Sequence, residues 1–234
     1  MRGIGTVVNV VTVLAGTLVG VVLGNRLPER LRTTVLQAVG LVVLIIGGRD
    51  AFGTRNVVFP LVSLILGAVI GEALRIEDRL EALGGAIRRR FETDREGDDA
   101  RFVEGFVAAS LLFCVGPLTI LGSIRDGLGG PDHAQLLLVK AALDGAVAVA
   151  FASTLGWGVG FSALTVIVVQ GTLTLAAGAA DQVLTERMVV EMSAAGGIMV
   201  IGIGLRLLDI KKVAVGSLLP ALVLAPVGVA LFAR

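Results

Sequence analysis

The sequence predicts an all-α protein, a polytopic transmembrane helix bundle of about eight spans. Three observations carry that prediction. Of 234 residues, 55% are hydrophobic and mean hydropathy is +0.91; a soluble domain of this size needs more polar surface. Glycine is abundant at 32, tyrosine is absent and there is one tryptophan, a composition that suits membrane helices whose backbones approach closely. Apolar runs of the ~20 residues that cross a bilayer as helix recur along the chain.

The first run, 4–24, has only Arg2 before it, lacks a small-x-small cleavage site and contains Asn9 and Thr12. It therefore reads as a span and not as a signal peptide. Gly5, Asn9, Thr12, Gly16, Gly20 and Gly24 fall on one stripe of it, spaced for helix packing. Asn9 needs a polar partner there, because lipid offers none. The second run, 34–49, is short: a tilted span, or not a full one. The third, 57–74, repeats the small-residue stripe with Ser63, Gly67 and Gly71.

Residues 75–101 form the longest connection, with seven arginines and eight acids. Ile76, Leu80, Leu83, Ile87 and Phe91 recur at helical spacing, predicting an amphipathic helix at the interface or a solvated tether. "ETDREGDDA" reads as a linker; its acids are ordinary solvated charges before they are a cation site. The chain thus divides into a first membrane group of three spans (1–74), this cytoplasmic helix and linker (75–101), and a second membrane group of about five spans (102–234).

The fourth run, 102–122, contains "CVGPLTILGSIRDG". Pro117 removes a donor and clashes with the carbonyl of Phe113, and Gly116 and Gly122 flank it. A helix broken there exposes amides and carbonyls, the equipment of a midplane site; a simple proline kink followed by a loop at Arg125 and Asp126 is the plainer alternative. The fifth run, 135–156, places Lys140 and Asp144 one turn apart on one face. Each costs about 2.5–3.5 kcal/mol on insertion scales, and an exposed i,i+4 pair returns only ~0.3–0.5 kcal/mol, so both must face the bundle interior. A register-locking ion pair and a solute or proton site both fit. "GWGVGFS" is a Gly-rich turn with Trp157 as interface anchor. The sixth run, 160–179, carries Ser162, Gln170, Thr172 and Thr174; 190–208 and 213–232 complete the set.

Thirteen Lys and Arg fall on the side of Arg26, the 75–101 segment and Arg206, against six on the other, with Lys140 excluded as lying within a span. The richer side is cytoplasmic by the positive-inside rule, which puts both termini outside. "GLVVLIIGGRDAF" (40–52) resembles "GIMVIGIGLRLLD" (197–209): Gly40, Gly47 and Arg49 match Gly197, Gly204 and Arg206, and Pro60 matches Pro220 after a three-residue insertion. Glycine is common here, so chance competes. As a true repeat it would pair spans one to three with six to eight in opposite orientation, as transporters do.

"CVGPLTILGSIRDGL" (114–128), "KAALDG" (140–145), "FSALTVIVVQG" (161–171) and "GTVVNVVTVLAGTLVG" (5–20), in this order, resemble the YqgA/YdfK-like family of bacterial integral membrane proteins. The resemblance spans nearly the whole chain and implies a bacterial cytoplasmic membrane protein. It brings no established activity. The family's recurring elements fall on Gly122, Ser123, Asp126, Gly127, Lys140, Asp144, Gly145, Gln170 and Gly171; Val169 stands where an aromatic residue often precedes Gln-Gly.

The formal charge of +1 offers no basic stripe for nucleic acid. One cysteine and one histidine exclude an internal disulfide and a cysteine- or histidine-cluster metal site within one chain. No nucleophile–base pair or phosphate loop is visible, and "GIGTVV" lacks the third glycine of a dinucleotide fingerprint. No enzyme, cofactor or metal is expected. The function expected is a transporter or channel for an ion or small charged solute. Its polar site would comprise Asn9, Ser123, Asp126, Lys140, Asp144 and Gln170, with Gly116, Pro117 and Gly122 supplying broken-helix backbone. The alternative is a non-transporting scaffold or sensor. Expected partners are the lipid bilayer, a small solute or ion, and a second copy through the small-residue helix faces.

Overall fold

The computed structural model describes residues 2–91, 99–130 and 132–232. Among these are eleven α-helices and one 3-10 turn, with no strand. They run α1 (Ile4–Gly24), α2 (Glu29–Ala51), α3 (Val58–Ala73), α4 (Ile76–Phe91), α5 (Asp99–Cys114), α6 (Pro117–Leu128), α7 (Gln135–Leu155), α8 (Gly158–Leu175), α9 (Ala177–Val183), α10 (Glu186–Leu207), the turn Val215–Leu218 and α11 (Ala221–Phe232). Six are long and apolar enough to cross a membrane, or up to eight crossings if each of two bent pairs counts as one. The fold is that of a helical membrane protein. Its outer faces agree: Val7, Val11, Leu14 and Leu18 of α1 and Leu61, Ile65 and Val69 of α3 are exposed aliphatics with lipid as their natural solvent.

Several boundaries differ from the hydropathy reading. α2 is not a short span: it starts at Glu29, directly after the extended Pro28, so Glu29, Arg30 and Arg32 extend the helix instead of preceding it. α3 stops at Ala73 and α4 turns away by 60° through Arg75, which takes a left-handed φ of 50°. The run 160–179 divides at Ala176 into α8 and α9, and the last span opens as a 3-10 turn. In α4, Ile76 and Leu80 are half-buried and Leu83 is exposed; the side chains of Ile87 and Phe91, and the linker residues 92–98, lie outside the described residues.

Glycine sets which helices meet. α1 and α7 run parallel at backbone contact: a methyl group at Gly16, Gly20 or Gly24 would sit 2.4 Å from the carbonyl oxygen of Gly145, Val149 or Ser153. α2 and α10 run antiparallel, with Gly40 against Leu208 and Gly47 against Gly197. α3 runs antiparallel to the last span, Gly67 on Ala221 and Gly71 on Ser217. The stripes read from the sequence are therefore filled from within the chain. Between these seams, Phe106 and Phe113 of α5, Phe151 of α7 and Met199 of α10 form the buried core.

Candidate functional site

The polar centre forms where α1, α5 and α7 meet. Lys140 and Asp144 are 5% and 7% exposed, and the ammonium donates to Asp144 Oδ2. Asn9, fully buried on α1, donates from Nδ2 to the same oxygen at 2.9 Å. The glycines of α1 allow this: they bring the helix close enough to α7 for a short amide to reach. The Lys140 ammonium also lies 5.9 Å from the Phe113 ring centroid, within cation–π range.

The helix break stands beside this cluster. α5 ends at Cys114, Gly116 takes φ 120° and α6 begins at Pro117, bent 61° from α5. Proline cannot continue the helix over Phe113. The Phe113 carbonyl instead accepts from Thr119 Oγ1 at 3.2 Å. A cavity of about 190 Å³ lies here, lined by Gly116, Pro117 and Thr119 on one side and Lys140, Asp144, Arg49 and Asp50 on the other. A methyl group at Gly116 would sit 3.5 Å from Asp50 Oδ2. Two carboxylates, two cations and a helix start thus border one hollow, and aliphatic side chains such as Ile46, Leu143 and Val147 complete its lining.

The remaining predicted residues separate from that hollow. Asp126 is not in a loop. It is fully buried in α6, and its Oδ2 accepts the amides of Gly5 (3.0 Å) and Thr6 (3.4 Å), so it caps the start of α1, where a carboxylate is favoured by the helix dipole. His133 Nε2 lies 3.7 Å from its Oδ1. Gly122 packs on Leu137. Ser123 and Gln170 are fully buried, and neither side chain has a hydrogen-bond partner among the described residues; Asn9 Oδ1 likewise accepts no hydrogen bond, and Asp126 Oδ1 has only the His133 imidazole near it. Buried polar atoms left open are costly. Ser123 and Gln170, whose polar atoms are unpaired, lie on α6 and α8, which pack together where a methyl at Gly127 would meet the Thr174 carbonyl oxygen.

Sequence reasoning used Arg49 only as a member of the repeat and the charge count, and assigned neither Arg49 nor Asp50 to the site. It also missed Glu191. This carboxylate is fully buried on α10 and accepts from Thr54 Oγ1 (2.5 Å), Arg55 N (2.9 Å) and Asn56 N (3.1 Å). An acid inside the run 190–208 was the available signal.

The chain matches the family described as "Protein of unknown function (DUF554)" over residues 4–230. A protein of Escherichia coli (strain K12), named Uncharacterized protein YqgA, is 32% identical over 223 residues, covering 95% of this chain and 94% of its own. One of Bacillus subtilis (strain 168), named Uncharacterized membrane protein YdfK, is 29% identical over 227 residues with the same coverage. No solved structure matches the chain.

Proposed function

Because the chain belongs to the DUF554 family, whose description assigns no activity, function must be argued from the site, and we propose a membrane transporter or channel for an ion or small charged solute. The observation that carries this reading is the Lys140–Asp144–Asn9 cluster opening onto the cavity at the Gly116–Pro117 break. Intramembrane charges are expensive and mark solute and proton paths, and a broken helix beside them is a recurrent solute-site device. Asp144 would respond to a cation or proton. Lys140 would serve as its counter-charge or as an anion contact. Asn9 would keep the carboxylate oriented, whereas Ser123, Asp126 and Gln170, on α6 and α8, lie apart from this hollow.

In this reading the protein is not an enzyme, and its partners are the bilayer and the solute. It sits in the bacterial cytoplasmic membrane with the arginine-rich side inward. Counting eight crossings, both termini lie outside. Since the glycine stripes are filled internally, self-association would use the exposed aliphatic faces.

The test is flux in proteoliposomes, screened across common ions, amino acids and organic acids, with wild type and Asp144→Asn. Transport expects wild-type flux that Asp144→Asn abolishes while the helical CD spectrum is kept. A scaffold or sensor expects no wild-type flux for any solute.

A further inference from the structure

A shift of 157 residues carries Glu29, where α2 starts, onto Glu186, where α10 starts. The same shift carries "LPERL" (27–31) onto "LTERM" (184–188), and Gly40, Gly47 and Arg49 onto Gly197, Gly204 and Arg206. The contacts obey it too. A methyl at Gly47 would meet the Gly197 oxygen at 2.6 Å, and one at Gly204 would meet the Gly40 oxygen at 3.2 Å; the shift exchanges these two contacts. A second helix pair repeats the exchange. A methyl at Gly160 would lie 3.0 Å from Thr17 Cγ2, and one at Gly3 3.9 Å from Thr174 Cγ2, and the shift carries Gly3 onto Gly160 and Thr17 onto Thr174. Swapped contacts in two independent pairs are what a two-fold axis between inverted repeats produces.

The cavities follow the same relation but differ in size. The one at the helix break is lined by Ile46, Arg49 and Asp50 and measures about 190 Å³. Their counterparts Ile203, Arg206 and Leu207 line a second cavity of about 10 Å³, with Glu104 and Leu111 of α5. α5 runs through both: Leu111 borders the small cavity and Leu112 the large one.

The two arginines are equally unlike. Arg49 has a side chain 68% exposed that reaches only the adjacent Asp50, at 3.3 Å, among the described residues. Arg206 is 22% exposed and lies 3.0 Å from Glu77, 3.6 Å from Glu81 and 3.7 Å from Glu104. Those carboxylates come from α4 and α5, so one guanidinium ties three helices across the small cavity.

We propose that the two cavities are the two mouths of one path, and that the Arg206–Glu77–Glu81–Glu104 cluster is its closed gate on the arginine-rich side. The structure is one of two states related by the pseudo-two-fold. In the other, the Arg206 mouth opens and the Arg49 mouth closes. This rests on the transport reading, since it assigns the gating of the same site.

The test uses the full chain in oriented membrane vesicles with Cys114→Ala, which removes the one native thiol. Ile46→Cys and Ile203→Cys are introduced separately and labelled with a membrane-impermeant maleimide. The expected result is reaction at Ile46→Cys from the Arg49 face and protection at Ile203→Cys. Adding Arg206→Gln should raise labelling at Ile203→Cys by roughly tenfold and lower it at Ile46→Cys, as a shift between two states requires. Glu81→Gln, which alters the most exposed partner, should do the same to a smaller extent and decides the matter if Arg206→Gln does not fold. Unchanged labelling at Ile203→Cys, or a rise at both sites together, overturns the gate. No solute enters this readout. Opposed labelling without flux would therefore sink the transport reading alone, and flux with unresponsive labelling would sink the gate alone.

Discussion

Of the three glycine seams in this bundle, α1–α7 and α2–α10 differ in what they enclose. In the α1–α7 seam, the contacts of Gly16, Gly20 and Gly24 continue at the depth of Asn9 into a buried amide, carboxylate and ammonium. In the α2–α10 seam, Gly40, Gly47, Gly197 and Gly204 meet backbone and aliphatic side chains, with arginines placed toward its two ends. Both bring helices to van der Waals contact, which drives association where lipid is as apolar as the side chains. The second seam has no buried ion pair along it among the described residues; its one buried carboxylate, Glu191, sits at the end, on the loop that follows α2. Close helix contact thus forms in this bundle with and without a buried ion pair, and removing the Lys140–Asp144 pair separates a register lock from a solute site.

That contrast can be broken in a definite order. Lys140→Met should have the largest effect, about 3–5 kcal/mol of lost stability, because it leaves Asp144 buried with only Asn9; thermal unfolding in detergent reads it. The double variant Lys140→Met/Asp144→Leu should recover most of that loss while flux stays absent, and recovered flux would mark the pair as a register lock. Gly47→Leu should follow at about 3 kcal/mol, the cost of forcing a side chain into a closed contact, with the same melt as readout. Asn9→Val removes one hydrogen bond to a buried carboxylate, worth about 2 kcal/mol, and should impair flux more than its stability loss accounts for. Thr185→Ala tests the frame alone. Thr185 Oγ1 accepts the Met188 amide at 3.3 Å to start α10, and losing that cap should cost about 1 kcal/mol without altering solute preference.

Most of the frame could be read from sequence because lipid makes hydropathy and length decisive. Its ends were harder. The charged turn of α2 falls below any hydropathy threshold although it is helical, and the bend at Arg75 depends on a backbone angle that no residue type announces. Within the site, Asn9, Lys140 and Asp144 stood out as polar residues at helical spacing inside apolar runs. Asp50 did not, because only the tertiary fold sets the end of α2 against Gly116. Ser123 and Gln170 were read as polar members of the site; that both are fully buried with unpaired polar atoms depends on the tertiary packing of α6 and α8. Asp126 was read as a site residue from its neighbours; its placement as the cap of α1 depends on a contact 121 residues away.

Glu191 carries a consequence for how the chain is made. Its carboxylate receives the loop amides of residues 55 and 56 from 136 and 135 positions downstream, just as the grooves of α1 and α2 await α7 and α10. The first hairpins to leave the ribosome therefore enter the bilayer with open grooves and bare loop amides. The α1 groove is filled by α7 and the α2 groove and loop by α10, nearer the carboxyl-terminal end, so assembly closes from later segments back onto the beginning.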